Sequence, residues 1–286
     1  NVKIGYLDVW KDYSDLTLTI GDSLYEVFKK SRKWSLRVEF FDKINSVLDR
    51  NEWHMTPQTV NAYFSSSMNE IVFPAAILQP PFYCKSPSDI DFDLSDEKIL
   101  VGDDDYDFTS AVNFGGICAV IAHEITHGYD DKGRKFDGDG NLNDWWTEED
   151  KKQYAKIQKD VIKQYETYAS YDKIEFDAEP SIGEDLADIS GLQICQEYLR
   201  DFQLKNEDIL PIQSLSFEAF FVYFAVQSRQ KLSKKAIEAQ LKTNPHPPDK
   251  YRCNVPLSRT RVFRGIYNVK KGDKMWWHST NSVWSD

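Results

Sequence analysis

Hydrophobic positions along this chain recur mostly at helical spacing. Over residues 22–34, and again over 35–48, apolar side chains fall three and four apart. Leu36, Phe40, Ile44, Val47 and Leu48 mark the inner face of the second stretch, so the spacing predicts two packing helices. Two short β-type runs follow, 59–64 (TVNAYF) and 70–73 (EIVF), separated by a turn-rich 65–69, which predicts a hairpin. TVNAYF reads either as an ordinary strand or as a sheet edge whose backbone takes an extended peptide as an added strand. Residues 74–81 form a proline-stiffened link. Residues 86–107 are crowded with aspartates, as in a solvated loop or an acidic field beside a site. A helix is expected from about Phe108, and Gly115 and Gly116 near its start imply close backbone packing. Thr147 with Asp150 matches a capping box, and Tyr154, Ile157, Val161, Tyr165 and Tyr168 continue it as a long amphipathic helix. Residues 216–231, apolar nearly all round, predict a helix buried in the core.

Composition narrows the class. With 41% hydrophobic residues in 286, the chain buries a substantial core and lies outside the disordered class. Its 46 acidic against 35 basic residues give a net charge of -11 without a basic stripe, which argues against nucleic acid as a partner. The longest near-apolar run, 217–226, is too short to span a bilayer, and the N-terminus lacks a signal pattern, so no membrane segment is expected in this chain. The chain opens at Asn1 without an initiating methionine, as in a processed or partial form. Cys84, Cys118, Cys195 and Cys253 have no paired spacing and read as free thiols.

Chemistry concentrates in residues 118–131 (CAVIAHEITHGYDD). On a helix, His123 and His127 stand one above the other and can aim two imidazoles at one zinc ion. Glu124, set to the side, can accept a proton from bound water without coordinating the metal. A metal site with a third histidine six residues beyond the second is excluded, because Asp130 and Gly133 occupy the positions where that pattern needs glycine and histidine. In residues 181–192 (SIGEDLADISGL), Ser181 and Glu184 match a capping box. Glu184 and Asp188 are also like charges one turn apart, which a nearby cation would relieve. Glu184 as third zinc ligand, with Asp188 holding a ligating histidine in its tautomer, accounts for both. Residues 137–148 place Asp137, Asp139, Asn141 and Glu148 at calcium-loop positions, but Leu142 stands where that loop needs glycine, so a polar loop is expected. His246 and Arg252 fall in a proline-bounded stretch (NPHPPDKYR) expected to be a functional loop, while His54 and His278 read as surface residues.

Taken together, VNAYF from Val60, IVFPAAILQPPF from Ile71, HEITHGYDDKGRKFDGDG from His123, DWWT from Asp144, GEDLAD from Gly183 and HPPDKYR from His246 resemble the catalytic portion of the neprilysin and endothelin-converting-enzyme family of zinc endopeptidases. The resemblance implies one zinc on His123, His127 and Glu184, with Glu124 as general base and Asp188 as a second catalytic acidic residue often described as a proton donor. It implies that Asn61 and Ala62 hold the substrate backbone, that His246 steadies the transition state and that Arg252 binds a substrate carbonyl. Peptides are the implied substrates. Family members are mostly membrane-anchored ectoenzymes or secreted, yet the four cysteines here do not match the family's disulfide framework. The family's large N-terminal roof over the cleft is not expected within residues 1–286, and residues 86–107 look like an insertion.

The expectation is therefore a mainly helical α+β, gluzincin-type metalloprotease domain over 1–286, with a small sheet edging the cleft. The alternatives are a non-catalytic zinc-bearing or peptide-binding remnant, or a purely structural domain with an unused motif.

Overall fold

The computed structural model describes residues 1–90, 108–205 and 213–278. The chain divides into two compact units, residues 6–57 and residues 1–5 with 58–286. The catalytic domain expected over 1–286 spans both.

In the smaller unit, Ser23 starts helix α1 (Leu24–Glu39): its Oγ accepts from Glu26 N at 3.3 Å, and its own N–H donates to Glu26 Oε2 at 2.8 Å. This reciprocal cap satisfies two orphan donors of the first turn. Trp34 is buried on α1 and stacks on Tyr13 with ring centroids 4.8 Å apart. The second helix expected over 35–48 does not form as a separate element: residues 35–39 end α1 and Phe41–Lys43 is a single 3-10 turn. The backbone leaves helical geometry at Phe40 (φ -127°) and turns left-handed at Asn45 (φ 62°). Leu36, Phe40, Ile44, Val47 and Leu48 are all exposed, so no buried face is available to hold a helix there.

The larger unit opens with β1 (Val2–Gly5), which lies parallel to β3 (Glu70–Pro74), while β2 (Tyr63–Ser65) pairs antiparallel with β3 on its other side. Strand order β1-β3-β2 leaves β2 with one edge outside the ladder. The hairpin is as the alternation predicts, but β2 begins at Tyr63 rather than at residue 59, so Asn61 and Ala62 lie just before it. Lys3 of β1 pairs with buried Glu70 of β3 at 2.9 Å.

The helix expected from Phe108 is two helices, α2 (Thr109–Gly115) and α3 (Ile117–Thr126). The break has a tertiary cause. Ile117 N–H donates to Phe82 O at 2.7 Å, outside the helix. A Cβ on Gly116 would lie 2.4 Å from that same oxygen, and one on Gly115 would lie 2.1 Å from Phe220 O. Only glycine allows these backbones to approach so closely. Phe220 belongs to α6 (Gln213–Gln227), whose phenylalanines are buried among Val112 of α2, Ala119 and Ala122 of α3, and Leu192 and Leu199 of α5 (Ile182–Lys205).

A second core joins α4 (Glu148–Tyr171) to α5 and α8 (Asp249–Arg259) through Val161, Tyr165, Leu186, Ile189, Tyr251 and Val255. Inside it, Gln164 accepts from Arg259 Nε at 2.6 Å and donates to Ser258 Oγ at 2.6 Å, and Arg259 also reaches Asp160 at 2.8 Å. These bonds satisfy polar groups that burial would otherwise penalise. Thr147 and Asp150 form the expected capping box on α4. Between α6 and α8 lies α7 (Lys234–Thr243), and α9 (Arg261–Ile266) follows α8.

Residues 137–148 form the expected polar loop. Asp137 Oδ1 accepts from Asp139 N and Asn141 N, and Glu148 is 90% exposed on α4, which takes it away from any shared ion. Cys84, Cys118, Cys195 and Cys253 are free. Of the acidic stretch 86–107, Pro87–Asp89 is a single 3-10 turn and residues 91–107 lie outside the described residues. Among the described residues no helix is long and apolar enough to cross a membrane.

Candidate active site

Helices α3 and α5 carry the candidate site, and glycine sets their spacing. A Cβ on Gly191 of α5 would meet Ala119 O and His123 N at 3.0 Å each, so α5 runs against the backbone of α3 just where His123 projects. His123 lies in the last turn of α3 and His127 caps its C-terminus, still in right-handed helical geometry, so the four-residue spacing places one ring beside the other. Their Nε2 atoms are 2.9 Å apart and their planes are nearly perpendicular. From the first turn of α5, Glu184 Oε2 comes within 3.3 Å of His123 Nε2 and 3.6 Å of His127 Nε2.

Each imidazole is held from behind by a carboxylate. Asp188 Oδ1 stands 2.9 Å from His123 Nδ1, and Asp130 Oδ2 stands 2.7 Å from His127 Nδ1. Asp130 is itself fixed, its Oδ1 accepting from Lys132 N and Gly133 N. His127 Nδ1 is hydrogen-bonded, whereas His123 Nδ1 is within ion-pair distance of Asp188 without being aligned for a hydrogen bond, and both Nε2 atoms face the same point. Sequence reasoning missed Asp130, whose only signal is its place three residues beyond His127, where the helix has ended. Gly133 is required as well, because a Cβ there would lie 1.8 Å from His127 O.

Glu184 does not cap its helix. Ser181 Oγ instead donates to Asp185 Oδ2 at 2.9 Å, which releases Glu184 toward the histidines. This corrects the capping-box alternative. The proline-bounded loop is also shorter than expected: Pro248 is the N-cap of α8, so Arg252 sits on a helix. From there Arg252 grips Asp188 with Nε to Oδ2 at 2.7 Å and Nη2 to Oδ1 at 2.8 Å. His246, in the loop before α8, brings Nε2 to 3.2 Å from Glu184 Oε2. Asn61 and Ala62 precede the edge strand. Asn61 Oδ1 accepts from Ala62 N, and Ala62 is buried beside Ile117 at the start of α3. His54 and His278 are exposed, and His278 lies against Trp277 with its Nε2 3.1 Å from Asp160, away from the cluster.

Electrostatics bind these groups into one network. Burial would lower the His127 pKa, but Asp130 and Glu184 outweigh it and raise it to about 10. Burial would raise Glu184, yet His123, His127 and His246 hold it well below the carboxylate range. Asp188 is likewise held low, burial being overcome by the Arg252 guanidinium and by His123. Glu124, also buried, is shifted upward by desolvation, partly offset by the two histidines.

The residues fit a zinc ion. Two imidazole nitrogens and one carboxylate oxygen lie within 4.8 Å of one another, and Glu184 Oε2 is buried with no hydrogen-bond donor aligned on it. Two histidines and a glutamate are a donor set used by catalytic zinc.

Residues 61–94 and 101–283 match the sequence profile of peptidase family M13, and the chain belongs to that family. It is 36% identical over 279 residues to a neutral endopeptidase of Lactococcus lactis, covering 96% of this chain and 38% of that protein. It is 33% identical over 268 residues to rat endothelin-converting enzyme 1, covering 93% of this chain and 32% of the relative. The crystal structure of Mycobacterium tuberculosis zinc metalloprotease Zmp1 with an inhibitor superposes with a TM-score of 0.76 at 34% identity, covering 96% of this chain and 39% of that one. The chain thus spans 32–39% of the length of these relatives.

Proposed function

We propose that this chain carries the catalytic site of a zinc-dependent endopeptidase that hydrolyses peptide bonds. The observation that carries the reading is the convergence of His123 Nε2, His127 Nε2 and Glu184 Oε2 with Glu124 buried beside them. Membership of a peptidase family whose members include proteins named endopeptidases supports it.

His123, His127 and Glu184 would hold one zinc ion, which when bound lowers the pKa of a water from 15.7 to roughly 7. Glu124 would act as general base, taking the proton from a water that attacks the scissile carbonyl and passing it to the departing amine. Its adjacency to His123 and its burial suit this, because a desolvated carboxylate is a stronger base. His246 Nε2 lies at the edge of the same cluster and donates to the carbonyl oxygen as negative charge develops there. Asp188 keeps His123 in the tautomer that offers Nε2 to the metal, and Arg252 holds Asp188 in place. An extended peptide would lie along the outer edge of β2, held at Asn61 and Ala62, with a guanidinium N–H of Arg252 binding a substrate carbonyl.

The test is zinc content together with turnover of a quenched fluorescent peptide. One zinc per chain with chelator-sensitive cleavage is expected. Zinc without cleavage would make this a non-catalytic zinc-bearing domain, and neither zinc nor cleavage would leave the motif unused.

A further inference from the structure

The first turn of α8 holds a carboxylate that its neighbours leave alone. Asp249 is the first residue of the helix, after Pro248 as N-cap, and Arg252 lies three positions further on. Side chains at that spacing share a helix face, with Cβ atoms about 5–6 Å apart, so an aspartate and an arginine placed there ordinarily pair. Here they do not. Arg252 gives Nε and Nη2 to Asp188 of α5, at 2.7 and 2.8 Å. The other cations around the turn are committed too: Lys250 pairs with Asp172 at 2.6 Å, and His246 brings Nε2 to within 3.2 Å of Glu184. Among the described residues no hydrogen bond or ion pair reaches the Asp249 carboxylate, although the residue is half-buried. Burial pushes its carboxyl upward, with Arg252 drawing it back and Asp188 adding to the rise.

Those neighbours place Asp249 beside the candidate site, because Arg252, Asp188 and His246 all belong to the network around the metal cluster. Arg252 Nη1 takes part in neither bond to Asp188, which leaves it for a substrate carbonyl. A peptide held there presents a side chain to the turn just before Arg252. A half-buried carboxylate without a counter-charge suits a cation that arrives with the substrate, since the two form a charge-assisted hydrogen bond. An acidic side chain at the same place would meet a like charge. The net charge of -11 draws cations toward the protein at longer range as well.

We propose that Asp249 is a specificity-determining residue: it selects peptides that carry a basic side chain close to the scissile bond, by pairing its carboxylate with the ammonium or guanidinium group of that side chain. The inference rests on the endopeptidase reading and names a class of substrate for it.

The test uses quenched fluorescent peptides of one sequence, in which lysine or its uncharged counterpart norleucine stands in turn at each position on either side of the scissile bond. With the zinc-loaded protein, kcat/KM at one position should favour lysine by about tenfold, the scale of a hydrogen bond to a charged group. The cation is held in the bound state as well as in the transition state, so the preference should lie mainly in KM. Asp249→Asn should bring the ratio close to one, and in the wild type the ratio should fall as salt is raised. An equal loss on both peptides in Asp249→Asn is what a weakened first turn of α8 would give, and it would overturn the proposal. So would a ratio near one at every position in the wild type, or a ratio that neither Asp249→Asn nor salt changes. If the wild type binds zinc but cleaves no peptide, the endopeptidase reading fails. Fluorescence anisotropy of the same peptides, dye-labelled, then decides the role of Asp249 separately: tighter binding of a lysine peptide that Asp249→Asn abolishes upholds the selection of cations, and equal binding of lysine and norleucine peptides overturns it.

Discussion

Asp188 serves two partners at once: Arg252 closes on both of its carboxylate oxygens, at 2.7 and 2.8 Å, and Oδ1 also stands 2.9 Å from His123 Nδ1. The guanidinium on α8 therefore reaches the metal cluster through a carboxylate on α5 and an imidazole on α3. Arg252→Met would leave Asp188 buried without its cation, a change that typically costs about 3 to 5 kcal/mol. A lower melting temperature is expected, together with weaker zinc retention and a raised KM. Arg252→Lys should recover little, because an ammonium cannot reproduce the two-pronged grip. A lysine variant with native melting temperature and zinc content would contradict this account.

Glu124→Gln should keep zinc bound, since Glu124 is not among the three converging ligands. Loss of the general base should reduce peptide hydrolysis by about 100 to 10,000-fold. Metal analysis and single-turnover cleavage of a quenched peptide check the two halves separately.

Glu184→Ala should lose most of the zinc, because it removes one of three ligands. Asp130→Asn and Asp188→Asn should each retain the ligands but weaken their orientation, lowering zinc affinity by about 10 to 100-fold. Competition against a fluorescent zinc chelator measures all three. Full occupancy in Glu184→Ala would remove this residue from the ligand set.

Zinc removal should destabilise the fold. A ligand at 100 times its Kd adds about 2.7 kcal/mol, so a chelator should lower the melting temperature of the loaded protein and added zinc should restore it. The binding should also depend on pH. In the metal-free site His127 stays protonated up to about 10, through Asp130 and Glu184 acting against burial. Zinc must displace that proton, so apparent affinity should rise with pH through the neutral range and proton release should accompany binding. Calorimetry in buffers of different ionisation enthalpy measures the released proton.

Gly133→Ala tests the turn behind the site. Its Cβ would fall 1.8 Å from His127 O, so the turn that carries Asp130 must shift. Reduced stability and reduced zinc affinity are expected together, whereas Gly138→Ala, where a Cβ meets nothing within 4 Å, should be neutral for both.

The sequence by itself determined whatever depends on residues a few positions apart. The four-residue step from His123 to His127 and the same step from Glu184 to Asp188 define faces on helices, and helical geometry alone makes each pair point one way. The capping box at Thr147 and the buried α6 were legible for the same reason. Pairings across tens of residues belonged to the tertiary structure. β1 exists because Val2–Gly5 finds β3 some 65 residues later, and four residues carry too little pattern to announce a strand. The break between α2 and α3 is made by Phe82 O, and the freedom of Glu184 depends on Ser181 choosing Asp185. The helix expected over 35–48 had suitable spacing but no surface to bury its apolar face, and periodicity without burial does not hold a helix. Arg252 closing on Asp188 joins residues 64 positions apart, a relationship that no local spacing rule encodes, because only the packing of α8 on α5 brings the two charges together.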